Sequence, residues 1–313
     1  MDIGAKIYVA GHRGMVGAAI VRRLQAEGAD NLVLRSRQEL DLTRQTDVEA
    51  FFAAERPEYV FLAAAKVGGI HANSTYPAEF ISENLAIQNH IIHNSYANGC
   101  RKLLFLGSSC IYPRDCAQPI KEEYLLTGPL EKTNEAYAVA KIAGIQMCQA
   151  YRKQYGFDAI CAMPTNLYGP GDNFDLETSH VLPALIRKFH DAASSGSQSV
   201  TLWGTGTPRR EFLHVDDLAD AALFLMRDYS EAGIVNIGTG TDVSIHELAA
   251  MIASLAGYGG RVGYDSSKPD GTPRKLLDNS RIQSLGWQAS IPLNQGISST
   301  LDWYAQHARV SEI

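Results

Sequence analysis

Across the first half of the chain, short unbroken apolar runs alternate with stretches in which apolar side chains return every three or four residues. The runs are Lys6–Ala10, Asn31–Leu34, Tyr59–Ala63, Lys102–Gly107 and Ala159–Met163. Their β-branched and aromatic content reads as strands buried on both faces. Between the first two, Val16, Ala19, Ile20 and Leu24 fall at helical spacing, and Gly28 offers a stop. Such alternation implies parallel strands joined by right-handed crossovers. The expected fold is α/β: a doubly wound, Rossmann-type parallel sheet.

After about residue 165 the alternation weakens and turn signals multiply, as in Gly169-Pro170-Gly171, Gly204-Thr205-Gly206-Thr207-Pro208 and Lys268-Pro269-Asp270-Gly271. Helices persist: Ser244 and Glu247, ahead of Leu248–Ile252, spell a capping box. The expected division is a dinucleotide-binding domain over residues 1–165 and a smaller α/β substrate lobe over 166–313. Some segments of the second are expected to return to the first.

Composition narrows the partners. In 313 residues, 45% hydrophobic, the formal charge is −6. That balance argues against a broad surface for nucleic acid or anionic membrane, which needs a basic excess. No apolar stretch approaches the ~20 residues of a membrane span. Nor does the N-terminus carry a basic segment followed by a signal core. Five cysteines without a CxxC pair read as reduced thiols, with no zinc or other metal expected. The expected location is the cytoplasm.

The first strand candidate runs into Gly11-His12-Arg13-Gly14-Met15-Val16-Gly17 at the start of a helix. Unpaired N–H groups and the helix dipole at such a turn attract a pyrophosphate, and glycine lets the backbone approach it. The plainer reading is a structural strand–helix turn, but the position at the head of an α/β chain favours a dinucleotide. Where NAD enzymes place an acidic residue at the second strand's end, this chain has Arg35-Ser36-Arg37. Two guanidinium forks around a hydroxyl suit a 2′-phosphate, with Arg13 as a third cation; NADP(H) is the expected cofactor. Asp41-Leu42 fits a turn near the adenine edge.

Tyr137 and Lys141 stand four apart, on one face of a helix. A phenol near pKa 10 is a poor acid–base group at neutrality; an adjacent ammonium is expected to favour phenolate. Ser108 ends the Lys102–Gly107 strand, at the edge where open α/β sheets bind ligands, and shares a substrate oxygen with Tyr137.

Glycine turn, arginine pair, strand-end serine and YxxxK in this order resemble the extended short-chain dehydrogenase/reductase family. GHRGMVG (11–17), AAAKVGGI (63–70), LGSSCIYP (106–113), PTNLYGP (164–170), SHVLPALIRKFH (179–190), REFLHVDD (210–217) and KPDGTPRKLLD (268–278) are similar, within that family, to the GDP-L-fucose synthases. The resemblance implies an NADPH-dependent 3,5-epimerase and 4-reductase that converts GDP-4-keto-6-deoxy-D-mannose to GDP-L-fucose, usually as a homodimer. It makes Ser108, Tyr137 and Lys141 the reductase set, and Cys110 and His180 the epimerisation acid–base pair. It puts NADP contacts at Gly11, His12, Arg13, Gly14, Met15, Val16, Gly17, Arg37, Asp41, Leu42, Leu106, Gly107, Lys141, Pro164, Thr165, Asn166, Leu167 and His180. Substrate contacts fall at Lys188, Trp203, Arg210 and Asp270.

The chemistry suits these residues. A 4-keto group acidifies C3–H and C5–H, so epimerisation needs a base on one face and an acid on the other. A thiol becomes a base beside cations, and imidazole donates near neutrality. If the strand continues past Gly107, Cys110 points with Ser108; His180, Arg187 and Lys188 share about one helical face. Duller readings stand beside these: Cys110 as a buried filler, His180 as a surface histidine, Trp203 as core, Arg209-Arg210 as a solvated pair. His214, Asp216 and Asp217 read as structural, the aspartates capping a helix Leu218–Met226. His12, His71, His90 and His93 show no metal-ligand spacing.

A 4,6-dehydratase is expected to carry Asp-Glu where this chain has Ser109-Cys110. Another nucleotide-sugar 4-epimerase or reductase remains the nearest alternative, although a 4-epimerase that recycles NAD does not match Arg35 and Arg37. A non-catalytic NADP sensor has no use for Tyr137 and Lys141.

Overall fold

Alternation within the first strand sets the layering. In the computed structural model, which describes residues 1–268 and 270–308, Ile7 and Val9 enter one apolar core while Tyr8 and Ala10 enter another. Pro269 and residues 309–313, parts of the expected substrate lobe, lie outside the described residues. The strands β1 (Ile7–Ala10), β2 (Leu32–Val33), β3 (Tyr59–Leu62), β4 (Lys102–Leu106) and β5 (Asp158–Pro164) end within a residue of their expected bounds. Helices α1 (Met15–Ala26), α2 (Gln45–Glu55), α3 (Ile70–Thr75), α4 (Pro77–Ala97) and α5 (Glu135–Tyr155) connect them.

The second half contributes β6 (Asn166–Tyr168), α6 (Val181–Ser195), β7 (Ser199–Trp203), β8 (Arg209–Arg210), β9 (Phe212–His214), α7 (Val215–Asp228) and β10 (Val235–Ile237). Then come β11 (Val243–Ser244), α8 (Ile245–Leu255), β12 (Arg261–Asp265), β13 (Arg274–Lys275), α9 (Ser280–Ser284) and α10 (Leu293–Ala308). The main sheet is parallel, in the order β10-β5-β4-β3-β1-β2. β2 and β3 flank β1 on opposite sides, so the chain reverses direction there. In open α/β sheets the crevice at such a reversal holds the ligand.

The core on one face joins Ile20 and Leu24 of α1 to Leu218 and Leu225 of α7; the other joins Phe52, Ile91 and Ile145 from α2, α4 and α5. Each such side chain stabilises the fold by about 1.5–3 kcal/mol when buried. α7 and β10 therefore belong physically to the sheet layer although they follow residue 165. A third core, with Ile186, Phe189, Leu202, Phe212, Leu248 and Ile252, holds the second lobe. There the strands form small groups: β7 with β12, β6 with β9, and β8 between β11 and β13.

Two local expectations meet different outcomes. The capping box at Ser244 forms, with hydroxyl and Glu247 carboxylate reaching reciprocally. The cap of α7 is His214 instead of an aspartate: its Nδ1 accepts from the Asp216 N–H at 3.2 Å. The aspartates sit in the first turn, where Asp217 accepts from the Ser290 and Ile291 N–H groups at 3.1 and 3.0 Å and Asp216 pairs with Arg22 at 2.6 Å.

Candidate active site

At the end of β1, Gly11 turns with φ +84°, where a Cβ would strike the Ala64 backbone at 2.8 Å. Its carbonyl accepts from the Gly14 N–H at 3.0 Å, and a Cβ on Gly17 would sit 2.1 Å from that same oxygen. Gly14 differs: a Cβ there meets Gly11 O at 3.5 Å and nothing nearer, so the bare backbone faces open space. α1 begins without a side-chain cap or an acidic first turn, leaving its first N–H groups for an anion. Before it lies a cavity of about 600 Å³ bounded by Gly11–Gly14, Arg35–Gln38 and Asp41.

The cavity's polar rim is unevenly committed. His12 Nδ1 is buried without a hydrogen-bond partner, and its imidazole pKa is lowered by desolvation first and by Arg13 next. Arg37 is 76% exposed and only loosely paired with Glu83 at 3.6 Å, so it can turn to meet a phosphate. Arg35 is not its equal: Glu55 holds it at 2.5 Å and the Leu34 carbonyl at 3.0 Å. The Ser36 hydroxyl is likewise spent on Glu39 at 2.7 Å. The expected pair of forks around a hydroxyl reduces to Arg37, because Arg35 is drawn to the carboxylate of α2. Asp41 accepts from the Thr43 N–H and hydroxyl, which lowers its pKa and builds the turn that carries Leu42. An anionic dinucleotide with an extra phosphate on its adenosine ribose fits this crevice.

At the sheet's carboxyl edge, α5 sets Tyr137 and Lys141 beneath β4. Lys141 is buried and donates to the Leu106 carbonyl at 2.8 Å; its ammonium lies 5.8 Å from the Tyr137 ring centre. Burial pulls its pKa down to about 8. The Tyr137 phenol is pushed up, by desolvation first and Cys110 next, with Ser108 opposing through a hydrogen bond. The ammonium is expected to lower the phenol's pKa; in the cofactor-free fold burial dominates and the direction is upward, while Lys141 gives one of its protons to a carbonyl. Gly107 packs tightly on Met163, where a Cβ would meet Sδ at 2.4 Å. Thr165 Oγ1 and Asn166 Nδ2 both donate to the Glu211 carbonyl, linking Pro164–Leu167 to the second lobe.

Past Ser108 the strand stops: Ser109–Ile111 is a single 3-10 turn, capped by the Ser108 hydroxyl accepting from the Cys110 N–H at 3.2 Å. Cys110 is thus carried to the cleft by a turn, not by strand alternation. Its sulfur accepts from Asn134 Nδ2 at 3.3 Å and Lys275 Nζ at 3.4 Å. His180 stands at the N-cap position of α6 without a side-chain capping bond and keeps an exposed face; desolvation first, then the Lys275 charge, lowers its pKa. The Arg210 guanidinium senses Cys110 as well as Asp270. Cys110, Lys275 and Arg210, the last two registered neighbours, therefore lie together beside Tyr137.

Farther out, Trp203 is 56% exposed, with Lys188 at 5.7 Å and Lys268 at 5.4 Å from its ring centre. It is a platform, not core. Asp270 accepts from the Thr205 N–H at 2.7 Å and hydroxyl at 2.8 Å, and its carbonyl takes Arg210 at 3.5 Å. Arg187 does not share the cleft face with Lys188: it donates to the Phe174 carbonyl at 3.2 Å and approaches Asp191. Arg209 is no solvated partner of Arg210, being bound to Asp242 at 2.8 Å. Among the described residues no cluster of His, Cys, Asp or Glu could hold a metal ion, and no helix is long and apolar enough to cross a membrane.

Residues 7–238 match the model of the NAD dependent epimerase/dehydratase family. The chain is 62% identical over 306 residues to GDP-L-fucose synthase 1 of Arabidopsis thaliana, covering 98% of this chain and 95% of that protein. It belongs to the GDP-L-fucose synthase family. Among solved structures, a GDP-6-OMe-4-keto-L-xylo-heptose reductase from C. jejuni superposes with a TM-score of 0.93 at 43% identity, covering 98% of this chain and 99% of that one. A GDP-L-fucose synthetase from Naegleria fowleri bound to NADP gives 0.90 at 28%, covering 99% and 96%.

Within this GDP-L-fucose synthase fold, sequence reasoning left three cleft residues without a role. Asn134 and Lys275 converge on the Cys110 sulfur, and Lys268 flanks Trp203. Lys268 and Lys275 stand in the KPDGTPRKLLD segment, and Asn134 opens the segment of Tyr137. Their places follow from tertiary contacts alone: Lys275 from its register with Arg210 of β8, Asn134 and Lys268 from the sulfur and the ring they approach.

Proposed function

We propose that this chain is an NADPH-dependent 3,5-epimerase and 4-reductase that converts GDP-4-keto-6-deoxy-D-mannose to GDP-L-fucose. The observation that carries the reading is the Cys110 sulfur beside Tyr137, held by Asn134 and Lys275 at 3.3 and 3.4 Å. A dinucleotide would rest on the glycine turn and α1, with Arg37 and Arg13 toward its extra phosphate and Lys141 toward the nicotinamide ribose. When bound it supplies a hydride for C4.

The chain's own groups do the rest. Ser108 and Tyr137 hydrogen-bond the C4 oxygen, stabilising the charge that collects there when C3–H or C5–H is lost. Cys110 and His180 exchange protons with those carbons from opposite faces. After both centres invert, the Tyr137 proton passes to the C4 oxygen as the carbonyl is reduced; the raised phenol pKa suits a donor. Lys188, Lys268 and Arg210 gather positive charge suited to a diphosphate, and Trp203 offers a face on which a base can stack. Residues 1–165 with α7 and β10 serve the cofactor, the remainder the sugar nucleotide. Five free thiols fit a reducing compartment, the cytoplasm, and the family likeness supports a homodimer, which sedimentation measures.

The test offers GDP-4-keto-6-deoxy-D-mannose with NADPH or NADH in deuterated water. The expected result is NADPH oxidation with deuterium at C3 and C5. Cys110→Ser slows deuterium entry by about 10²–10⁴, whereas Tyr137→Phe chiefly blocks reduction and slows exchange less. NADPH oxidation without any deuterium would instead favour a simple 4-reductase, the activity named for the C. jejuni structure.

A further inference from the structure

β8 and β13 run side by side, Arg209 opposite Arg274 and Arg210 opposite Lys275. Successive side chains of a strand point to opposite faces, and registered neighbours to the same one. Arg209 and Arg274 both turn to Asp242, at 2.8 and 2.5 Å, a carboxylate whose side chain is 5% exposed. Arg210 and Lys275 are left facing the cleft. Just beyond, the Leu276 N–H donates to Gln118 Oε1 at 2.9 Å and the Leu277 N–H to Glu211 Oε2 at 3.0 Å. A built frame thus delivers the Lys275 ammonium to 3.4 Å from the Cys110 sulfur, and the same charge acts on His180.

A cation donating to sulfur favours thiolate over thiol. We propose that Lys275 is a positioning residue for proton transfer, its ammonium, 3.4 Å from the sulfur, holding Cys110 as the proton acceptor. This rests on the reading of Cys110 and His180 as the acid–base pair. The carbon–hydrogen bond breaks as S–H forms, and its electron pair moves toward the C4 oxygen. The N–H bond of the imidazolium then breaks as a new carbon–hydrogen bond forms on the other face. Solvent resets both groups.

The experiment uses the full chain with Lys275→Met and Lys275→Arg, each checked by thermal melting. It measures iodoacetamide alkylation of the Cys110 peptide at pH 7, deuterium entry into substrate, and KM. In Lys275→Met, alkylation is expected to slow about ten-fold and deuterium entry at least as much, with Lys275→Arg recovering part of both. Unchanged alkylation with a raised KM in both folded variants would overturn the proposal and make Lys275 a substrate-phosphate ligand. Slowed alkylation with normal deuterium entry would uphold the Lys275–Cys110 contact but overturn the acid–base reading of Cys110. Should Lys275→Met fail to fold, Lys275→Arg alkylating at the wild-type rate supports the charge, and a rate as low as that of an unpaired thiol overturns it.

Discussion

The two lobes fasten functional groups to an apolar core by different means. In the first, long parallel pairing does the work: β1, β3, β4 and β5 are buried along their lengths, and the glycine turn follows directly from β1. In the second, strands are short and buried carboxylates tie them together. Glu211 is fully buried and accepts from the Gly240 N–H at 2.7 Å and the Leu277 N–H at 3.0 Å. Asp242 binds two arginines, and Asp270, at the surface, holds the Thr205 turn. The cofactor side is thus limited by steric fit, the substrate side by the placement of charge.

Substitutions that separate fit from charge sharpen the contrast. The largest effect is expected from Gly17→Ala, because its methyl has only backbone to displace; NADPH affinity should fall about 100-fold, read by calorimetric titration. Wild-type binding would show that α1 can shift. Glu211→Gln turns an amide toward backbone N–H donors; urea denaturation should show a loss of about 2–3 kcal/mol, with KM for the sugar nucleotide raised more than KM for NADPH. If both Michaelis constants moved together, the two sides would not be separable.

Arg37→Ala should cut the NADPH-over-NADH ratio of kcat/KM about ten-fold without disturbing the melting temperature, since the side chain is mostly exposed. The smallest effect concerns Asp172, whose Oδ2 lacks a partner and whose pKa desolvation raises from 3.8 to about 7. The folded chain then binds more protons there than the unfolded one, so this group's stabilising contribution is complete below pH 3.8 and is lost as pH rises through about 7. Asp172→Asn should flatten that fall in the melting temperature between about pH 4 and 7; an unchanged slope would mean that another group titrates.

Much of the first lobe was readable because burial on both faces leaves a continuous apolar signature, and because Gly11 and Gly17 are demanded by backbone contacts next to them in the chain. The same logic found Trp203 and Arg210 only through family likeness, since no local period marks them. Arg35 misled because a guanidinium's partner, here Glu55, comes from another element. His214 displaced the aspartates as the cap of α7 because Asp217 was claimed by the 290–291 turn.

By itself, the sequence determined the parallel sheet, the glycine turn, the Tyr137–Lys141 pair and the family, all carried by neighbours or by fixed spacing. Tertiary structure alone decided that Lys141 serves a carbonyl, that Arg37 and not Arg35 is left mostly exposed, and that Asn134 and Lys275 meet at one sulfur. Those outcomes depend on which of several partners a long polar side chain reaches, and strand register sets that choice across residues as far apart as Cys110 and Lys275.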